Sequence, residues 1–163
     1  MNNNDAVNVG IAAALVRAGL TFTTVVGKTA HETVTRVFQI PFELTSSTPF
    51  TVHGYAGGPL VIAISPLRLE KDDPSRRLAI HEALSTRMAF VRAVPGRGTN
   101  AHLIWIEAST PIVHGLESLN SSGAPYAVPF QAVASAVIEI VGEFKDEVAI
   151  PEVSSIPISI VDP

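Results

Sequence analysis

The chain has 163 residues, no cysteine, and a formal charge of −4 from 11 basic and 15 acidic residues. That length suits one domain, which can bury roughly two thirds of its unfolded surface without a covalent staple; the missing cysteine excludes disulfides, zinc ribbons, iron–sulfur ligation and thiol nucleophiles. The acidic balance argues against a nucleic-acid binder, which needs a basic excess to release counterions from phosphate.

The chain opens with Asn4 and Asp5, which can cap a helix over Ala6 to Ala18. Val7, Ile11, Ala14, Leu15 and Ala18 recur at helical spacing, and Gly19 is a natural stop because glycine takes positive φ without strain. No basic segment precedes the apolar patch Val9 to Val16, which argues against a signal peptide. No run reaches the ~18 to 20 apolar residues of a membrane span. The expectation is a cytoplasmic protein with no membrane partner.

Leu20 to Val26 reads as a strand, turned by Gly27 and Lys28, and Thr33 to Leu44 as a clearer one. In the latter, Val34, Phe38 and Ile40 lean to one face and Thr35, Val37 and Gln39 to the other, with Pro41 at an edge, a bulge or the strand's end. Phe50 to His53 is a short strand closed by Gly54, Gly57, Gly58 and Pro59. Leu60 to Ile64 is apolar on both faces, as a central strand is, and Pro66 should end it.

Asp73-Pro74 pairs a carboxylate cap with a proline at the first helical position, so a helix should run to Met88 with Ile80 and Leu84 on the sheet and His81 beside them. Ala89 to Val94 and His102 to Glu107 are strands of a hairpin whose loop is Pro95 to Asn100. In the second strand Leu103 and Trp105 share one face, Ile104 and Ile106 the other, so this strand needs two covers: the protein's helices should be one, and the other could be a second subunit. Ser109 to Pro129 reads as irregular. Pro129 then opens a helix to about Val148, with Phe130, Val133, Val137, Val141, Phe144 and Val148 as its stripe. One domain over 1–149 is therefore followed by an apolar, proline-punctuated tail, 150–163, that could lie as an arm on this chain or on a neighbour, or equally be a disordered terminus.

No constellation signals catalysis, a cofactor or a metal. None of His31, His53, His81, His102 and His114 pairs with another at metal-ligand spacing, and neither His31-Glu32 nor His81-Glu82 is followed by the second histidine of a zinc protease. His81 reads as a hydrogen-bonded histidine at the helix–sheet boundary. Gly96-Arg97-Gly98 lacks the Lys and Ser or Thr of a phosphate loop and precedes a strand, so it reads as a turn. Arg76, Arg77, Arg87, Arg92 and Arg97 could face an acidic partner peptide or a phosphate, but more often such arginines are solvated or paired with carboxylates such as Glu70 and Glu82. No serine lies in a nucleophile elbow.

Three stretches resemble the YbjN and type III secretion chaperone-like superfamily: Leu60 to Pro66 as the strand before the middle helix, Asp73 to Met88 with Ala89 to Val94 and His102 to Glu107 as middle helix and hairpin, and Pro129 to Val148 as the closing helix. The resemblance implies an α+β domain with an antiparallel sheet of about five to six strands and helices on one face, in the order helix, three strands, helix, hairpin, helix. It also implies a domain, often dimeric, that binds peptide segments of other proteins without catalysis.

The expected function is thus a non-enzymatic protein-binding module, chaperone-like or adaptor-like, acting as a homodimer on a protein or peptide partner. Low charge content (16 %), the two-faced hairpin and the apolar tail support it. Groove binding or strand addition would be the mechanism, with Phe90, Arg92, Leu103 and Trp105 as partner-binding residues. A small-molecule binder or enzyme, with Arg92, His102 and Glu107 lining a pocket between sheet and helices, is the alternative. A structural subunit of a homo-oligomer is another.

Overall fold

The structure, a computed structural model, describes residues 3–28, 34–44, 49–57, 60–70, 73–87, 91–96, 101–111 and 124–151. Among them the chain forms α1 (Asn3–Arg17), β1 (Thr23–Lys28), β2 (Val34–Glu43), β3 (Pro49–Gly57), β4 (Leu60–Leu69), α2 (Pro74–Arg87), β5 (Arg92–Pro95), β6 (Leu103–Pro111), α3 (Ala124–Glu143) and β7 (Val148–Ala149). The strands make one antiparallel sheet in the order β1-β2-β3-β4-β6-β5, with β7 also paired to β4. The α+β class is as expected. The described strands number seven rather than five to six, and four rather than three precede the second helix.

All three helices cover the same side of the sheet. Ile11 and Leu15 of α1, Ile80 and Leu84 of α2, and Phe130, Val133 and Val137 of α3 share one core with Phe38, Ile40, Val61, Leu67, Ile104 and Ile106 of the strands. Helix ends follow local chemistry. Gly19 has φ of 75°; its N–H donates to the Val16 carbonyl and that of Leu20 to the Leu15 carbonyl, the paired bonds of a Schellman cap. Asp73 Oδ1 accepts from the N–H groups of Ser75 (3.0 Å) and Arg76 (3.4 Å) to start α2.

Several boundaries differ from expectation, each for a tertiary reason. β4 runs through Pro66 to Leu69 instead of ending there. The Leu69 N–H donates to the His102 carbonyl, on the β6 side. Backbone donors alternate along a strand, so the Pro66 nitrogen points away from β6. On that side the β3 ladder stops at Ile64 and β7 begins at Arg68. The missing donor therefore falls in the gap between two ladders and costs no strand pairing. Gly27 and Lys28 belong to β1 rather than turning it, and β3 continues through Gly54 to Gly57. α3 begins at Ala124, with Pro129 inside its second turn, where only one early helical bond is lost. It also stops before Val148: a turn closed by the Glu147 and Val148 N–H groups on the Phe144 carbonyl carries the chain into β7. Phe144 and Val148 still reach the same core, which is why their spacing looks helical.

Gly54 is required where it stands. A Cβ there would lie 1.9 Å from Cε1 of Phe130, a fully buried ring. Gly54→Ala is expected to destabilise the fold by about 1–3 kcal/mol through overpacking, read as a lower urea midpoint with an unchanged slope. A midpoint equal to wild type would show that the ring is free to move.

Candidate functional site

The side of the sheet away from the helices is chemically different. Register places Thr23, Gln39, His53, Ile64, Glu107 and Arg92 in one lateral row across it, one residue from each successive strand. On one side of this row lies a small apolar cluster of Val37 and Tyr55 with Val25 and Ile62. A second, of Leu103 and Trp105 with Val94, includes Ile64 of the row itself. Both clusters are separate from the large core under the helices.

The polar groups of the row are largely satisfied in pairs. Thr23 Oγ1 donates to Gln39 Oε1 at 3.4 Å. Glu107 is buried at 6 % exposure, and its Oε1 accepts from Nε of Arg92 at 2.6 Å and from Nη2 of the same guanidinium. Arg92 itself is 74 % exposed, so the guanidinium caps a buried carboxylate from the solvent side. Burial pushes the pKa of His53 below its ordinary 6.5 by penalising the charged ring. Trp105 is 2 % exposed, and its indole N–H has no hydrogen-bond acceptor among the described residues.

Of the residues expected to bind a partner, Arg92, Leu103 and Trp105 fall together on this face, while Phe90 lies outside the described residues. The structure adds Glu107, Ile64 and His53. Glu107 shares the strand parity of Leu103 and Trp105, so alternation alone could have placed it there; His53 required the pairing register. Of the pocket set Arg92, His102 and Glu107, the first and last meet as an ion pair and His102 is exposed in the turn before β6. His81 Nε2 donates to the Ala93 carbonyl at 2.9 Å, tying α2 to β5 as its position suggested. His31 and His114 lie outside the described residues.

A cleft of about 250 Å³ opens on the helix side, lined by Leu69, Asp73, Arg76, Arg77, Ile80 and Glu147. Its charged groups are already engaged. Arg76 makes a bidentate pair with Glu147 at 2.5 and 2.7 Å, which raises the Arg76 pKa through that hydrogen bond and charge, and Asp73 caps α2. Arg68 pairs with Glu70 at 3.0 Å. Among the described residues no three His, Asp or Glu side chains gather as a metal site, and no helix is long and apolar enough to cross a membrane.

The lowered His53 pKa has a definite sign in stability. Between 6.5 and the lower folded-state value the unfolded chain binds a proton that the native chain does not, so stability is full above 6.5 and falls as pH drops through that window. Urea midpoints from about pH 7.5 to pH 5.5 should decline, and His53→Gln should remove that part of the slope. Equal slopes in the two proteins would count against it. Compared with family models, curated proteins and solved structures, the chain matches none.

Proposed function

We propose that this protein is a non-enzymatic protein-binding module, chaperone-like or adaptor-like, and that it receives an extended segment on the helix-free face of its sheet. The observation that carries this reading is Trp105: a fully buried indole whose N–H lacks an acceptor among the described residues, on a face where no described helix lies. An orphaned buried donor costs about 1–3 kcal/mol. An extended backbone supplies a carbonyl acceptor together with an apolar side chain, which is what this face needs. The resemblance to the type III secretion chaperone-like superfamily supports the same reading, since it implies peptide binding without catalysis. The Arg92 guanidinium at the rim, exposed and already holding Glu107, fits a role in orienting a segment that carries acidic residues.

The test uses Trp105 as reporter, because it is the sole tryptophan. In a library of synthetic peptides rich in Val, Ile and Leu, a subset should change its emission saturably, and Leu103→Asp should weaken them about ten-fold or more. A library in which no peptide alters the emission rejects the reading.

A homodimer belongs to the same proposal. Val9 and Val16 stand exposed on α1, Val128 and Ile138 on α3, and the two helices pack on each other. A second copy would cover this outer helix layer, away from the peptide face. Light scattering should give a dimer for the full chain and a monomer for Val16→Glu; a wild-type monomer at every concentration would sink the idea.

A further inference from the structure

We propose that the outer edge of β1 is a second docking site, where an extended segment of a partner protein, with an acidic residue next to an apolar one, adds to the sheet as a further strand. The site is distinct from the helix-free face around Trp105. In the sheet order β1 and β6 stand four strand spacings apart, roughly 19 Å. The inference goes beyond the reading of that face and does not depend on it.

The first support is the direction of the backbone groups, which alternate along an antiparallel strand. The Leu69 N–H bonds the His102 carbonyl, so odd-numbered residues of β4 face β6 and even-numbered ones face β3. Ile64 therefore faces His53, and Gly54, one residue on, faces Phe38 of β2. By the same step Val37 of β2 faces Val25 of β1. The three registers run without a break, so no bulge shifts the alternation. Thr24 and Val26 are left with both N–H and C=O turned outward, roughly 7 Å apart. Among the described strands none pairs with this side of β1. Thr23, Thr24 and Val26 are exposed, Val26 to 68 %.

The second support is the contrast with the other edge. An open edge is a template for a further strand, and proteins blunt it with short strands, proline, charge or a covering helix. β5 has four residues and ends in Pro95. Gly96 donates to the Leu103 carbonyl, so alternation turns the Ala93 carbonyl away from β6, and there His81 of α2 caps it. β1 has six residues, no proline and an unbroken register. Its residues Thr23 to Val26 are all β-branched, the types that favour a pleated chain.

The third support is the chemistry around the edge. Val25 is partly buried against Val37 and Tyr55 on the second face. Val26 stands on the helix side, opposite Arg36 in the register. Arg36 is exposed and makes no ion pair among the described residues. A residue added opposite Val26 would lie two strand spacings from Arg36, roughly 10 Å, a gap that an arginine and a glutamate side chain close together. The occupant must supply alternating backbone donors and acceptors, an apolar side chain beside Val25 and a carboxylate toward Arg36. An extended polypeptide meets the first demand and its sequence the other two. A second copy pairing through the same edge offers no carboxylate from Thr23 to Val26 and leaves Arg36 unanswered.

The probes are fluorescein-labelled, end-blocked octapeptides of alternating Val and Thr with either Glu or Lys at the fourth position, read by fluorescence anisotropy against the full chain. The Glu probe should bind saturably and about ten-fold or more tighter than the Lys probe, and Arg36→Glu should reverse that order. Val26→Pro removes an outward N–H and spares the ladder to β2. It should weaken the Glu probe about ten-fold or more, with far-UV circular dichroism as the check of folding. Should that variant fail to fold, Glu probes N-methylated at one or the other set of alternate residues give the same reading on the wild type: one set should abolish binding and the other spare it. No saturable binding of either probe overturns the proposal, as does binding that Val26→Pro in a folded protein, or both N-methylated sets, leave unchanged. So does a light-scattering mass halved by Val26→Pro, since the edge then belongs to a second copy. Leu103→Asp separates this site from the other face. Glu-probe binding that survives Leu103→Asp and leaves Trp105 emission unchanged belongs to β1. Binding lost with Leu103→Asp but kept with Val26→Pro puts the peptide on the Trp105 face and overturns the proposal.

Discussion

The fold depends on β4 being paired on both sides although it contains a proline. β6 accompanies it along its whole length, and on its other side β3 and then β7 take turns, leaving Pro66 at the change-over. Proline lacks the donor that a strand paired on both sides uses at every residue, alternately toward one neighbour and the other. Here the nitrogen is aimed into the interval, so the strand keeps the rest of its ladder. This one coincidence of chemistry and register sets where β3 must part from β4 and where the chain after α3 can enter. It also fixes where β7 pairs, with Val148 opposite Leu69 and Ala149 opposite Arg68.

Two unequal faces follow. Under the helices, a single apolar cluster runs through every helix and through β2, β3, β4, β5 and β6. The opposite face carries two small clusters and a polar row between their centres. The energetics of Trp105 show why that face can tolerate an orphan. Burying an indole removes about 150–250 Å² from water, worth on the order of 4–6 kcal/mol as an upper figure. That exceeds the roughly 1–3 kcal/mol of an unmade hydrogen bond, so the ring remains buried although its N–H has no acceptor among the described residues. Glu107 solves the matching problem for charge, with its carboxylate inside and its counter-ion in water.

What the sequence made legible were features governed by local chemistry. The Gly19 stop, the Asp73-Pro74 start, the alternation of Leu103 and Trp105 against Ile104 and Ile106, and the boundary position of His81 all rest on contacts within a turn or a strand. What it concealed were places where a distant partner cancels a local rule. Gly54 reads as a strand breaker until the Phe130 ring is seen lying on it. Pro66 reads as a terminus until the two ladders are known, and Val148 reads as helical because a turn presents it to the same core as Phe144. The site divides in the same way. Arg92, Leu103 and Trp105 could be placed on one face by parity, whereas His53 joins them only through a register that spans three strands.

The arrangement also separates what must be rigid from what can change. α2 is held at its start by Arg76 on Glu147, in the turn before β7, and further along by His81 on the β5 backbone. Both attachments are on the helix side, and neither draws on the clusters of the second face. The main core is continuous without Trp105, Leu103 or Ile64, so a change at those residues costs little beyond their own burial. Cooperativity is thereby concentrated under the helices, with the smaller second-face cluster outside it.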